Sequence, residues 1–158
     1  LAGYCDFSLL STENWSELLK KQRERQTHFS MRLKSLKKKL DRWQKIAASA
    51  AEQSGRGVIP EVIALPSYSA ALERAAKADK ALMFYENEQA TTLRMAMEQG
   101  SAATISLLTG PEGGLEEKEV EMAREKGLQV CTLGKRILRC ETAPLCALSA
   151  VMYACGEF

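Results

Sequence analysis

Two stretches decide the fold of this chain: Leu107-Leu-Thr-Gly-Pro-Glu-Gly-Gly114 and Leu133-Gly-Lys-Arg-Ile-Leu-Arg-Cys-Glu-Thr-Ala-Pro144. Each is an apolar run that ends in a glycine-bearing loop and leads into a helical pattern. Because glycine has no Cβ, the backbone of such a loop can approach a ligand closely. Two such loops, about one βα unit apart, predict a ligand on the C-terminal edge of a parallel sheet.

Strands and helices are predicted to alternate along the chain. Apolar runs predict strands at 6–10, 60–65, 80–85, 104–108 and 128–133, and helical patterns occupy 12–51, 68–78, 91–99, 115–126 and 142–154. This alternation is typical of an α/β fold in which helices flank a parallel sheet. A length of 158 residues favours one domain.

The charge is unevenly distributed, although the net charge is only +2. The segment Lys20 to Lys45 holds 11 Lys or Arg residues and two acids, Glu24 and Asp41, so it carries +9 and the remainder −7. It lies in a basic helical segment, residues 12–46. A basic segment on an acidic body indicates a polyanionic partner, and a solvated helix face is the alternative.

The composition argues against several classes of protein. No apolar run approaches the ~20 residues that span a bilayer, and the chain does not start with the pattern of a signal peptide. Five cysteines without a C-x-x-C pair, and a single histidine at His28, argue against a zinc site. Four of the cysteines lie in apolar stretches, which predicts buried thiols in a reducing cytosol.

Each glycine-bearing motif also allows a purely structural interpretation. Thr109–Gly114 could be a tight turn in which Gly113 and Gly114 supply positive φ. The second loop carries three cations, of which Arg139 could be a surface residue, yet Ile137, Leu138 and the apolar helix that follows predict that the loop is partly buried. A buried Arg139 would need a partner or an anionic substrate. Glu141 or Thr142 could simply cap the following helix.

Taken together, the motifs resemble the RsmE-type 16S rRNA (uridine-N3) methyltransferases of the SPOUT superfamily. The matching elements are, in chain order, Arg42-Trp43, Glu52-Gln-Ser-Gly-Arg56, Pro60-Glu61, Tyr85-Glu86, Thr109-Gly-Pro-Glu-Gly-Gly-Leu115 and Leu133-Gly…Ile-Leu-Arg-Cys-Glu-Thr-Ala143. The resemblance extends from about Leu36 to the C-terminus. Two positions depart from it: Lys135 stands where proline is common, and Cys140 where Ala or Thr is common.

The resemblance implies that residues 1–158 are a SPOUT methyltransferase domain whose parallel α/β sheet ends in a deep trefoil knot. The N-terminal PUA-like domain and the first strand and helix of the family are expected to be absent. An S-adenosylmethionine (SAM) site inside the knot, a homodimer and a cytoplasmic location are also implied. The implied partner is 16S rRNA or the small ribosomal subunit, with no metal required.

The resemblance also implies roles for individual residues. Arg139 is expected to face the uracil as a cation, and Glu141 to orient that arginine or to accept the N3 proton. Gln53, Arg56 and Glu86 are expected to contact the substrate. The expected cofactor contacts are Leu108, Thr109, Gly110, Glu112, Gly113, Leu133, Gly134, Ile137, Leu138, Thr142 and Ala143.

Two other functions stay open at the level of sequence. The chain could be a SPOUT methyltransferase that acts on another RNA or on a ribose hydroxyl, although the Arg-x-Glu-Thr-Ala ending favours uridine N3. It could also be a non-catalytic ribosome- or RNA-binding module with a vestigial cofactor pocket. The basic helix supports this second alternative, whereas the intact glycine motifs oppose it.

Overall fold

The computed structural model describes residues 6–11, 26–100 and 102–157, with side chains described from residue 36 onward. The strands in this part are β1 (Asp6–Ser11), β2 (Lys80–Phe84), β3 (Thr104–Thr109) and β4 (Gln129–Cys131). The helices are α1 (Gln26–Gln53), α2 (Tyr68–Ala75), α3 (Leu93–Glu98), α4 (Glu117–Glu125) and α5 (Ala143–Ala154). The chain divides into two compact units. One unit is Trp15–Pro66, which contains α1. The other consists of Leu1–Asn14 and Ser67–Phe158, and it contains the sheet.

The strands form one parallel sheet in the order β1-β3-β2-β4. β3 pairs with β1 and β2, and β2 pairs in turn with β4. The register places Asp6 beside Thr104, Leu82 beside Leu107, and Phe84 beside Cys131. Because every pairing is parallel, all four strands end at the same edge of the sheet. The predicted α/β fold with a parallel sheet is therefore confirmed.

The two inner strands are buried on both faces. Every residue of β2 and β3 after the first is buried, which explains why both strands are nearly continuous apolar runs. One core cluster contains Leu82, Phe84, Ala96, Ile105, Leu107, Cys131, Ala147 and Val151, and so joins the sheet to α3 and α5. Residues that alternate with these along the strands face the other side of the sheet. α2 contacts β3, and α4 contacts β4.

The helices of this unit begin and end where the local sequence predicts. Ser67 is the predicted N-cap of α2, and its hydroxyl accepts a bond from the Ala70 amide at 3.1 Å. Glu116 and Glu119 form a reciprocal capping box at the start of α4. After α4, Gly127 adopts a φ of 86°, which glycine tolerates without a steric penalty.

The predicted strand at residues 60–65 is wrong. This segment has no regular secondary structure, and the Gln44 side chain on α1 takes up its backbone groups. Gln44 Nε2 donates to the carbonyl of Pro60 at 3.0 Å, and the Val62 amide donates to Gln44 Oε1 at 2.8 Å. Pro60 also lacks an N–H, so the start of the segment cannot contribute to a ladder.

α1 confirms the predicted basic helix over the residues that the structure describes, and its predicted beginning, residues 12–25, lies outside them. The helix ends two residues before Gly55, which adopts a φ of 67° as expected for a C-terminal glycine. No helix in the described part of the chain is long and apolar enough to cross a bilayer.

α5 is more exposed than its apolar sequence predicts. It buries only Ala147 and Val151, whereas Leu145 is 67% exposed and Tyr153 is 77% exposed. The expectation of buried cysteines is correspondingly wrong for Cys146 and Cys155, both of which are exposed. The sheet covers one side of this helix, and the opposite side presents apolar residues to the surface of the chain.

Candidate functional site

The loops that follow β2, β3 and β4 enclose a cavity of about 530 Å³. Its wall is formed by residues 84–86, 109–112, 114, 132–141 and 143. Volumes of ~300–1,000 Å³ are typical of sites for small molecules and cofactors. The cavity therefore has the position expected for a ligand site of a parallel α/β sheet, beyond the carboxyl ends of its strands.

Most of the sequence-predicted site residues lie in this wall. They are Glu86, Thr109, Gly110, Glu112, Leu133, Gly134, Ile137, Leu138, Arg139, Glu141 and Ala143. Three others lie outside it: Leu108 is fully buried within β3, Gly113 is exposed in the turn, and Thr142 is the N-cap of α5. Gln53 and Arg56 belong to the other unit, where both are exposed.

Several wall residues were missed by sequence reasoning. They are Phe84, Tyr85, Pro111, Gly114, Thr132, Lys135, Arg136 and Cys140. Tyr85 is buried because its amide continues the sheet by donating to the carbonyl of Cys131 at 3.1 Å, while its hydroxyl accepts a bond from Asn87. Tyr85 stands in the Tyr85-Glu86 motif at the carboxyl end of a strand, where sites of α/β sheets gather, but sequence reasoning assigned it no role of its own.

The loop after β3 brings backbone and a carboxylate together. Gly114 adopts a φ of 74°, and its amide donates to the carbonyl of Pro111 at 2.9 Å, which closes a tight turn. A Cβ on Gly114 would lie 2.6 Å from Glu86 Oε1, so the carboxylate rests directly against this glycine. The expected positive φ is thus confirmed for Gly114 but is wrong for Gly113, because only the last residue of this turn needs that conformation.

The loop after β4 is anchored by Thr132. Its hydroxyl accepts a bond from the Gly134 amide and donates to the Gly134 carbonyl, both at 3.1 Å. Its backbone also bonds to Thr91 and Leu93, so the loop is joined to the start of α3. Gly134 has a φ of 124°, and a Cβ there would meet no protein atom within 4 Å. The absence of that Cβ leaves open space against the cavity wall.

Three cations of this loop, Lys135, Arg136 and Arg139, are exposed at the cavity. The expectation of a partly buried loop is therefore wrong for these cations and for Ile137, which is 83% exposed, whereas Leu138 and Cys140 are half-buried. The reason is that α5, which follows directly, packs on the sheet through Ala147 and Val151 and leaves the loop uncovered. Within the part of the chain that the structure describes, no ion pair engages the Arg139 guanidinium.

Glu141 is an ionised carboxylate at neutral pH. Its pKa is held below the ordinary value first by a bond from its own backbone amide, then by Cys140, and also by the nearby charge of Arg139. The Cys140 thiol donates to Glu141 Oε2 at 3.2 Å. A carboxylate with a lowered pKa accepts a proton poorly, so this geometry suits an orienting anion better than a general base.

Glu88 braces the loop that carries Tyr85 and Glu86. Its carboxylate pairs with Arg124 of α4 at 2.9 Å and accepts bonds from the amides of Ala90 and Thr91. The bond to Arg124 is the largest of the effects that lower the pKa of Glu88. In the described residues, no group of three or more His, Cys, Asp or Glu side chains could hold a metal ion.

Comparison with known proteins defines the class to which this fold and cavity belong. A family model described as an RNA methyltransferase domain matches residues 21–152, and the chain belongs to this family. Within it, the chain is similar to ribosomal RNA small subunit methyltransferase E of Bacillus subtilis, with 43% identity over 76% of this chain and 49% of that protein. The Synechocystis protein of the same name is 40% identical over 75% of this chain and 40% of its own length. The chain spans about half the length of the curated relatives it matches.

Two solved structures of methyltransferases are also similar to this chain. Ribosomal RNA small subunit methyltransferase E from Neisseria gonorrhoeae, solved with S-adenosylmethionine bound, is 42% identical and superposes with a TM-score of 0.63. The match covers 73% of this chain and 48% of that one. A Legionella pneumophila protein in complex with the same cofactor gives a TM-score of 0.69 at 28% identity, over 96% of this chain and 55% of that one.

The ion pair and hydrogen bonds of Glu88 predict a contribution to the free energy of unfolding that is lost at acid pH. Because its pKa is lowered in the folded state, the stabilisation is present above the ordinary value of 4.5 and is lost as the pH falls through the folded pKa. Glu88→Gln should therefore reduce the free energy of unfolding at pH 7 and make no difference at the acid end. Urea denaturation from pH 7 to pH 3 measures this. A deficit that stayed constant across that range would contradict the ionic brace.

Proposed function

We propose that this chain is the catalytic domain of a SAM-dependent methyltransferase that modifies N3 of a uridine in 16S rRNA. The observation that carries the proposal is the cavity itself, which lies between two glycine-bearing loops on the sheet of an RNA methyltransferase domain. The names of the relatives, and the cofactor in two of the similar structures, support it.

The cavity fits a cofactor of this size. The backbone at Gly134 has open space beside it, and the cavity of about 530 Å³ has room for a bent ligand. The main chain of Thr109, Gly110, Leu133, Gly134, Ile137 and Leu138 would hold it, with the apolar side chains against the adenine. When bound, SAM supplies a methyl group on a positively charged sulfur, which leaves with the electron pair of the broken bond.

The chain's own residues have to prepare the nucleophile. Uracil N3 carries a proton that has to pass to solvent water before the methyl group is transferred, and its loss places negative charge on the ring. Arg139 stabilises this charge, since its guanidinium is exposed at the cavity and has no protein partner in the described residues. Glu141 makes no ion pair with Arg139 among the described residues, and the role we propose for its negative charge is to orient the guanidinium when the substrate is bound. Alignment of the reacting groups accounts for the rest of the rate acceleration.

We also propose the deep trefoil knot of the SPOUT fold for this domain. The support is topological: β4 lies at the end of the sheet beyond β2, yet α5, which follows it, packs on β3. The chain must therefore return across the sheet within residues 132–143, the loop that walls the cavity. A knotted return would keep this loop and the loop after β3 in place together.

The incubation of the 158-residue chain with 16S rRNA and SAM tests the proposed function. After nuclease digestion, mass spectrometry of the nucleosides should detect 3-methyluridine. A ribose-methylated nucleoside instead would assign the chain to another branch of the superfamily. No methylated nucleoside, despite SAM binding and RNA binding, would support the non-catalytic module.

Glycine substitutions in one turn test where the cofactor lies. Gly114→Ala should weaken SAM affinity about 5- to 30-fold, because the new Cβ pushes the Glu86 carboxylate aside in the cavity wall and overpacking of this kind costs ~1–2 kcal/mol. Gly113→Ala is the matched control, since a Cβ there meets nothing within 4 Å. Calorimetric titration with SAM compares the two. Equal affinities would place the cofactor elsewhere.

Arg139 should matter for turnover and not for cofactor binding. We expect Arg139→Ala to keep SAM affinity within a few fold and to lower the methylation rate by about 10²–10³, the usual effect of losing one preorganised electrostatic contact. Arg94→Ala, on the exposed side of α3, serves as the control. Parallel losses of SAM binding and turnover would make Arg139 a cofactor or folding residue instead.

We further propose a homodimer in which the exposed side of α5 is covered. Leu145 and Tyr153 are apolar and largely exposed, which a stable partner surface would relieve. Leu145→Glu should therefore shift the chain to a monomer in light scattering at micromolar concentration. Met95→Glu places the same charge on another exposed apolar residue and should leave the mass unchanged. A wild-type monomer at all concentrations would refute the dimer.

A further inference from the structure

α1 carries a basic face directly opposite its apolar stripe. At 3.6 residues per turn, Lys38, Arg42 and Lys45 fall within about 60° of one another around the helix axis. Leu40 and Trp43 fall on the other side, and Leu40 is half-buried. The three cations extend over about two turns, or ~10 Å of helix at 1.5 Å per residue. They therefore form one compact row and are not scattered around the helix.

The side chains of these three cations are exposed to solvent, where a ligand can reach them. They line a groove of about 460 Å³ on the helix surface, together with Asp41, Ile46 and Ser49. Asp41 is the acid among the described residues of this groove, and it makes no salt bridge with its cationic neighbours there. A Lys or Arg ion pair would have reduced the charge offered to a ligand, so the face keeps a net excess of positive charge.

We propose that this face of α1 binds the phosphate backbone of the RNA substrate, a role that rests on the proposed function and adds a second contact outside the cavity. Closely spaced cations along one helix face complement a chain of phosphates, and the exposed Ser49 hydroxyl adds a neutral donor. Contacts of this kind position RNA and do not select its sequence.

RNA fits this face better than the other polyanionic surfaces. An anionic membrane would have to take up the apolar stripe, and the basic row, on the opposite side of the helix, would then point away from the lipid. The remainder of the chain outside Lys20–Lys45 carries −7, so the acidic surface of a second copy is the other occupant to be tested. Both are distinguishable from RNA by experiment.

The test compares two charge-matched triple variants of the 158-residue chain. Lys38→Gln, Arg42→Gln and Lys45→Gln remove the basic face. Lys77→Gln, Arg94→Gln and Lys118→Gln remove two lysines and one arginine from exposed positions of the other unit. Binding to purified 16S rRNA is measured by fluorescence anisotropy at several salt concentrations, and circular dichroism verifies that each variant keeps its helix content.

The first triple should weaken RNA binding about 10- to 100-fold near 0.1 M salt. It should also reduce the slope of log K against log salt by about 2, since each phosphate contact on single-stranded RNA contributes ~0.7. Single Arg42→Gln should reduce the slope by roughly a third as much. The control triple should keep the wild-type slope, and both variants should keep SAM affinity.

Three outcomes would overturn the assignment. An equal loss in both triples would make the effect one of net charge alone. An unchanged RNA slope, with loss of binding to phosphatidylserine vesicles, would make the face a membrane contact, and a change of oligomer mass would make it a contact between copies. The proposed function can fail while this assignment stands. If the chain does not methylate RNA, but only the first triple variant loses RNA affinity, the basic face is still an RNA-binding surface.

Discussion

The parallel pairing of β2 with both β3 and β4 determines where the cavity of this chain forms. Because the three strands end at one edge, the loops that follow them meet around one cavity. A single antiparallel strand would carry its loop to the opposite edge. The buried residues of β2 and β3 hold this alignment from both faces of the sheet. Core packing thereby fixes the geometry of loops that are themselves exposed.

Within that frame, backbone and charge have separate roles. Gly114 and Gly134 both adopt positive φ; a Cβ at Gly134 would meet no protein atom, whereas at Gly114 the Glu86 carboxylate lies against the backbone. The cations of the second loop stand at the cavity without protein partners in the described residues, whereas Glu141 is held ionised by its own backbone and by Cys140. We propose that the backbone of the two loops holds the cofactor, whereas the charged side chains face the substrate.

The sequence predicted the parallel sheet, both site loops and most of the cavity wall, because periodicity and glycine placement are local signals. Its failures came from non-local contacts. The segment after Pro60 is apolar enough for a strand, but Gln44, 16 residues away, takes up its backbone groups. Gly113 and Gly114 look equivalent in the sequence. Only the structure shows that Gly114, whose amide donates to the carbonyl of Pro111, adopts the positive φ. Apolar α5 and Ile137 predicted burial, yet Leu145, Tyr153 and Ile137 are largely exposed in the described part of the chain.

Hydrogen exchange of the chain, with and without saturating SAM, tests the central claim most directly. If the cofactor lies between the loops after β3 and β4, the added protection should be confined to amides of residues 109–114 and 132–143, with none in α1. The expected contrast is sharp because these loops are exposed and join buried strands. Binding of SAM accompanied by protection at other residues, and none in these two loops, would contradict the account.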